Sequence, residues 1–150
     1  MRSRRFLIPV LLITFTIAMA SCGKTNSGSK PTLKIESINT TVPVGGTLDV
    51  IMDFQSSSAN LSQGTLVVIR NRLNQRPLSG GSSSPDTLTG PIPQFPNQAK
   101  GQFEYTLDWG NYLHQSDSEN DTIVIKFAAI DKSGHSSDTI TTPKIVVKYQ

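Results

Sequence analysis

The chain of 150 residues predicts an all-β fold, a two-sheet antiparallel sandwich of about seven strands, on three observations. Apolar and polar residues alternate over several segments, so that each segment would turn one face to a core and the other to water. Glycine and proline punctuate these segments at short intervals. No stretch carries the i, i+3, i+4, i+7 apolar stripe of a helix-length segment. One domain is expected at this length.

The strand segments follow one another from residue 31 onward. Leu33, Ile35 and Ile38 mark the first of them. Segments 48–54 and 103–109 alternate between apolar and polar residues, while segments 65–69, 122–130 and 144–149 are rich in the β-branched residues that favour strands. The runs 44–47 and 132–135 predict turns between strands. Pro143 predicts a bulged or edge strand at the end of the chain, because proline cannot donate to a sheet.

Residues 76–97 interrupt this pattern. They contain five prolines and a run of serines and glycines from 79 to 84, a composition that excludes a regular central strand. Loops longer than about 12–15 residues in compact domains are either functional or disordered. We favour a mobile crossover between strands, whose Ile92 and Phe95 are held against the sandwich; a functional loop is the alternative.

Residues 1–21 predict an export signal. A basic start, MRSRR, precedes an apolar run of 15 residues from Phe6 to Ala20, and small residues follow. The run is too short and too close to the N-terminus for a typical spanning helix. Three of the 14 basic residues lie in this signal, and without them basic and acidic residues balance at 11 each. The positive charge therefore belongs to the signal and gives no indication of nucleic-acid binding.

The single cysteine of the chain, Cys22, follows directly after this signal. A lone cysteine excludes an internal disulfide framework. The tetrad Met19-Ala20-Ser21-Cys22, with Gly23 after it, resembles the lipobox of bacterial lipoproteins, where Leu, Val or Ile usually stands in place of Met19. The resemblance implies cleavage before Cys22 and acylation of its sulfur, and several acyl chains attach a protein stably to a membrane. The alternative is an ordinary cleaved signal.

Residues 22–30 are the expected lipidated cysteine and a polar, flexible tether, and residues 31–150 the sandwich. The tether should reach roughly 15–20 Å by random-coil scaling. No Asp follows Cys22, so the inner-membrane retention signal of enterobacterial lipoproteins is missing. The tether also lacks the acidic residues of the surface-export signals of Bacteroidota lipoproteins. We expect a cell-envelope protein, lipid-anchored in the outer membrane and facing the periplasm or the surface.

The segment FAAIDKSGHSSDTI, residues 127–140, resembles the closing hairpin of bacterial immunoglobulin-like and cadherin-like modules. Those modules often carry an Asp-x-x-Gly-Asn turn, in which His135 here replaces the usual Asn. Together with the segments TLDVIMDF and FEYTLDW, residues 31–150 are similar to small lipoproteins of Bacteroidota. The resemblance implies an immunoglobulin-like sandwich and an envelope location. It implies no activity, because this fold hosts many unrelated functions.

Carboxylates cluster in the run 116–121, where Asp117, Glu119 and Asp121 alternate with serine and asparagine. Alternating oxygens can surround a hard cation such as Ca²⁺, which takes about six to eight of them. The glycine and terminal glutamate of an EF-hand loop are missing from this run. A calcium site on these three residues and a solvated acidic loop are therefore both open.

The sequence shows no pattern of a catalytic site. His114 and His135 fall on different predicted loops, and a catalytic zinc needs three protein ligands. The G-x-S-x-G turn of serine hydrolases is missing from the sequence. We expect a protein that is not an enzyme and has no cofactor, with two exposed loop histidines.

Asp86-Thr87-Leu88 resembles the Asp-Ser/Thr-apolar sites at which Bacteroidota O-glycosylate exported proteins. The resemblance implies a sugar on Thr87, which falls in the predicted exposed loop. Similar triplets begin at Asp121 and Asp138, but their threonines start strands, where threonine is common. Coincidence is the alternative.

Three aromatic residues could form a platform on which a carbohydrate stacks. Tyr105 and Trp109 share the inward parity of their segment, which favours packing in the core. Tyr112 lies beyond the segment and is the freer candidate.

Two functions remain in view. The first is a membrane-anchored envelope lipoprotein whose non-catalytic immunoglobulin-like domain serves protein–protein contact or adhesion. The second is a glycan- or calcium-binding accessory lipoprotein that uses the loops around 112–121. Either would have the membrane as a partner through its lipid anchor, together with a protein or glycan of the envelope.

Overall fold

The computed structural model describes residues 30–57, 61–78, 86–96 and 98–150, so the predicted signal and Cys22 lie outside the described residues. These ranges contain a short 3-10 turn, Leu61–Gln63, and one π-helical turn, Trp109–Leu113. No helix in them is long and apolar enough to cross a membrane. The strands are β1 Thr32–Ile38, β2 Thr41–Val42, β3 Thr47–Gln55, β4 Thr65–Arg72, β5 Asp86–Pro91, β6 Lys100–Asp108, β7 Asp121–Ile130, β8 Ile140–Thr141 and β9 Ile145–Val147.

The strands form two sheets, which confirms the predicted immunoglobulin-like sandwich. The smaller sheet has the order β1-β3-β6, and the larger has the order β2-β9-β7-β4-β5 with β8 paired to β7. Described strand pairs are antiparallel except one: β2 runs parallel to β9, with Thr41 opposite Val146. The expectation of a purely antiparallel sandwich is therefore wrong for this pair. The pair is parallel because the chain crosses from the smaller to the larger sheet after β1 and continues along the outer edge of β9.

The core lies between the two sheets and follows the alternation in the sequence. In β7, every second residue from Asp121 to Ala129 is buried, and in β3 the same holds from Leu48 to Phe54. A slip of one residue in either strand would turn its whole apolar set to water, so the pattern fixes which side of each strand faces the core. The largest fully buried side chains include Leu48, Met52, Leu66, Leu113, Ile123, Ile125 and Phe127.

The prediction that residues 76–97 form a long loop between strands is wrong in the middle of the segment. There Asp86–Pro91 form β5, which pairs with β4. The prolines did not prevent this strand because one of them, Pro91, is its last residue and the strand lies at the edge of the sheet, where proline is tolerated. The predicted anchoring of this segment is confirmed. Ile92 is buried, and the ring of Phe95 stacks on that of Phe54 with centroids 4.4 Å apart.

Candidate functional site

The predicted calcium ligands lie in the loop before β7, but their carboxylates do not converge. Arg72, from β4, donates through Nε to Asp121 Oδ1 at 2.5 Å and through Nη2 to Glu119 Oε1 at 2.7 Å. Asp121 is fully buried. The Asp117 side chain is 98% exposed and lies 3.6 Å from His114 Nε2. The three residues therefore do not form one cation site, because a guanidinium neutralises two of them and the third faces water.

The network around Asp121 instead ties the loop to the sheet. Asp121 Oδ2 accepts hydrogen bonds from the backbone amides of Gln115 and Ser116, at 2.8 and 2.9 Å. The same guanidinium donates through Nη1 to the carbonyl of Arg76 at 2.5 Å. The described residues contain no group of three His, Cys, Asp or Glu that could hold a metal ion. Sequence reasoning missed the part played by Arg72 because nothing near the acidic run points to it.

Tyr112, the freer candidate for a carbohydrate platform, is buried. Asp108 Oδ1 accepts hydrogen bonds from the backbone amides of Gly110 and Asn111, both at 2.9 Å. These bonds begin a π-helical turn that places Tyr112 inside the sandwich. The Tyr112 hydroxyl donates to the carbonyl of Asp86 at 2.8 Å. Burial raises the pKa of Tyr112.

Arg70 lies over the buried ring of Tyr112. Its guanidinium carbon is 4.7 Å from the ring centroid, and its Nη2 forms an ion pair with Asp86. Burial lowers the pKa of Arg70. These contacts connect the first residue of β5 to β4 and to the π-helical turn, so their role is structural.

The other two aromatic residues are engaged separately. Tyr105 meets Phe127 edge to face, with centroids 6.2 Å apart, as core packing predicted, and burial raises its pKa. Trp109 stacks on His114 at 4.1 Å, and its indole N–H donates to the carbonyl of Lys148 at 2.7 Å. The three aromatics therefore form no common platform for a sugar.

The turn after β7 is confirmed and has a buried aspartate at its centre. Asp131 Oδ1 accepts the backbone amides of Ser133 and His135 at 2.8 and 2.9 Å, and Oδ2 lies 3.1 Å from His135 Nδ1. Burial alone would raise the pKa of Asp131, but the hydrogen bonds from His135 and Ser133 outweigh it and lower the pKa. Gly134 completes the turn with a φ of 87°.

The two histidines lie beyond opposite ends of β7. The ten residues of this strand span about 30 Å at 3.3 Å per residue, which prevents a shared zinc site. Thr87 lies exposed on the edge strand β5 and not in a loop, and its glycosylation stays a prediction. The lipidation of Cys22 also stays a prediction, outside the described residues.

A surface depression of about 540 Å³ lies where β1 begins. Its lining includes the apolar Phe54 and the amines of Lys34 and Lys100. Asp53 in the same lining accepts a hydrogen bond from Gln102 Nε2 at 2.8 Å. The depression therefore offers amines, amides and one carboxylate to solvent.

The outer faces of the two sheets differ in chemistry. On the smaller sheet, the outward positions of β1, β3 and β6 carry charges of both signs: Lys34, Glu36, Asp49, Asp53, Lys100, Glu104 and Asp108. On the larger sheet, the register aligns β-branched and small residues with one charge among them. We call this set the Val/Thr face: Thr65, Val67, Ile69, Thr87, Thr89, Val124, Lys126, Ala128 and Val146.

No family model and no curated protein matches the chain. Spo0M, a sporulation control protein from Bacillus subtilis, is similar at 10% identity with a TM-score of 0.42, over 81% of this chain and 50% of that chain. A β-glucosidase from Listeria innocua is similar at 11% identity and a TM-score of 0.42, over 79% of this chain and 16% of that one.

The soluble domain of PmoD from a Methylocystis species is similar at 18% identity with a TM-score of 0.34, over 78% of this chain and 88% of that one. This chain thus spans half the length of Spo0M and a small part of the β-glucosidase. At these identities and TM-scores, the likenesses carry no argument about what the chain binds or does.

Proposed function

We propose that this chain is an envelope lipoprotein, anchored through Cys22, whose non-catalytic immunoglobulin-like domain makes contact with another protein of the envelope. The Val/Thr face is the observation that carries the proposal. An antiparallel sandwich usually turns polar side chains to water on its outer faces. The smaller sheet follows that rule, whereas the larger sheet presents Val67, Ile69 and Val124 around the single cation Lys126.

The chemistry of the Val/Thr face fits a protein surface. The apolar side chains of this face are partly buried and partly open to solvent, and protein interfaces are depleted in charged residues at their centre. The face has the rigidity of a sheet, because its side chains stand on hydrogen-bonded strands of β-branched residues with few accessible rotamers. Little conformational entropy would therefore be lost when a partner covers it.

The anchor brings the domain to the membrane surface. A lipidated Cys22 and a short polar tether would hold the sandwich roughly 15–20 Å from the headgroups, by random-coil scaling. A partner in the same membrane would then meet the Val/Thr face at a raised effective concentration. The alternative function, binding of calcium or glycan at 112–121, has less support, because Asp121 and Tyr112 are buried and engaged.

Site-specific photo-crosslinking of the full chain in its native cells tests the contact. A photoreactive residue is placed at Ile69, on the Val/Thr face, and at the matched control Ile51, an outward isoleucine of the smaller sheet. We expect a discrete protein adduct from position 69 and none from position 51. Equal adducts from both positions, or none from either, would contradict the proposal.

The anchor is read in the same cells with a labelled fatty acid. We expect the label in the wild-type chain and its loss in Cys22→Ala, together with release from the membrane fraction. If the labelling experiment alone fails, the lipid anchor is wrong and the proposed contact surface still stands.

A further inference from the structure

We infer that two copies of this chain pair through β5, so that their larger sheets join into one continuous sheet across a two-fold axis. The inference goes beyond the proposed function and does not depend on the partner that covers the Val/Thr face. It rests on the backbone of β5, on the symmetry of its sequence and on the exposure of one leucine.

The open side of β5 presents backbone hydrogen-bonding groups. β5 ends the strand order of the larger sheet, and no other described strand pairs with its second side. The amide of Ile92 donates to the carbonyl of Gly64 at 3.1 Å, and bonded pairs alternate along an antiparallel ladder. Bonding toward β4 therefore falls to Leu88 and Gly90, and the amides and carbonyls of Thr87 and Thr89 point to the open side.

The strand is self-complementary in one register. When Leu88 of one copy lies opposite Leu88 of the other, Thr87 of each copy faces Thr89 of the second. Each of these two pairs exchanges an amide and a carbonyl, which gives four hydrogen bonds around a two-fold axis. Asp86 then faces Gly90, so no like charges oppose each other, and the carboxylate keeps its ion pair with Arg70.

The leucine at the centre of this register has unburied apolar surface. Leu88 is 38% exposed, one of three exposed large apolar side chains among the described residues. Across the axis it would pack against its twin, since residues opposite in a non-bonded pair bring their side chains close. Edge strands that resist pairing carry inward charges, lysines or bulges; residues 87–90 of β5 carry none of these, and Pro91 protects the last position alone.

The pairing would also double the Val/Thr face. Thr87 and Thr89 stand on that face at its β5 margin, opposite Ile69 and Val67 of β4. Joining the two edges places the threonines of both copies side by side, so the faces of two copies become one surface. A sugar on Thr87 would stand at the junction and hinder pairing.

A disulfide trap tests the pairing directly. In the register proposed, the Cα atoms of the two Leu88 residues would lie about 4.5 Å apart, within the range that a disulfide spans. The full chain carrying Leu88→Cys is compared, after mild oxidation of membranes, with the matched control Leu73→Cys, whose leucine is 43% exposed and follows β4 outside the strands. The wild type reports any background from Cys22.

We expect Leu88→Cys to shift to twice the monomer mass and to return to the monomer on reduction, and Leu73→Cys to stay monomeric. A monomer in both variants, or a dimer in both, would overturn the inference. An adduct of another mass at Leu88→Cys would show that a different protein occupies the edge and would overturn it too. Failure here leaves the crosslink from position 69 unaffected, so the two proposals fail separately.

Sedimentation of the purified full chain in detergent gives a second measurement without a new thiol. Thr89→Pro removes one amide from the open side of β5, and it removes no hydrogen bond between β5 and β4. We expect the wild type to sediment as a dimer and Thr89→Pro as a monomer, both with a β-sheet far-UV spectrum. A monomeric wild type would contradict the pairing.

Discussion

The two ends of β7 are each closed by a buried aspartate, and the two are held in different ways. At the start, Asp121 binds two amides of its own loop and the guanidinium of Arg72, which is 49 residues away in sequence. At the end, Asp131 binds the amides and ring of residues no more than four positions further on. One end is closed by a tertiary ion pair and the other by a local turn.

This difference teaches where the stability of each loop comes from. A buried ion pair recovers the cost of removing two charges from water only while both partners are present. A local turn instead draws on backbone amides that are already close in sequence, so each bond costs little chain entropy. Damage at the start of β7 should therefore be severe and repairable by a second substitution, whereas damage at its end should be smaller.

Asp121→Ala is expected to have the largest effect. It leaves the Arg72 guanidinium buried without its closest carboxylate, and breaking such a pair costs about 3–5 kcal/mol of the free energy of unfolding. Urea denaturation measures the loss. Adding Arg72→Met to the variant should recover part of it, because both charges are then gone. Additive losses in the double variant would show that the two residues act independently.

Asp131→Asn is expected to have an intermediate effect that depends on pH. Weakening the charge-assisted hydrogen bonds in the turn should cost about 1–3 kcal/mol near neutral pH. Because folding lowers the pKa of Asp131 from 3.8, its contribution is present above that pH and is lost as the pH falls through the folded value. The stability difference between wild type and variant should therefore shrink in acid, and a difference that stays constant would refute the assignment.

Gly134→Ala is expected to have the smallest effect and isolates the backbone of the local turn. Gly134 has a φ of 87°, where a Cβ costs about 1–2 kcal/mol. Gly90 is the matched control, since a Cβ at either glycine meets no atom within 4 Å and the φ of Gly90 is ordinary. Thermal unfolding should show a lower melting temperature for Gly134→Ala than for the wild type, and an unchanged melting temperature for Gly90→Ala. Equal shifts would mean that the turn places no special demand on residue 134.

The same contrast explains which parts of the structure the sequence could predict. The turn 132–135 was predictable because its glycine, aspartate and histidine lie within five residues. Which side chains of β3 face the core followed from alternation alone. The partnership of Arg72 with Asp121 was not predictable, because a single sequence does not report which strands become neighbours.

Two local errors have physical causes of the same kind. The edge strand β5 was missed because prolines count against a strand only where their missing amide is needed, and edge position is a tertiary property. The burial of Tyr112 was missed because the Asp108 carboxylate starts a π-helical turn that ends the alternation of β6. The Val/Thr face needed the pairing of β4, β5, β7 and β9 before its residues could be seen together.

If the proposed anchor at Cys22 and the pairing through β5 both hold, they determine the orientation of the protein on the membrane. Lys30, just before β1, lies at the end of the sandwich where β5 finishes and β6 begins, and its amine pairs there with Asp138 at 2.6 Å. A two-fold axis reverses β5, so the Lys30 residues of the two copies would lie at opposite ends of the pair, and the expected tethers would start from there. Both can reach one leaflet when the axis stands along the membrane normal. The paired domains would then lie flat on the membrane, with their strands parallel to the lipid surface and one attachment point at each end of the pair.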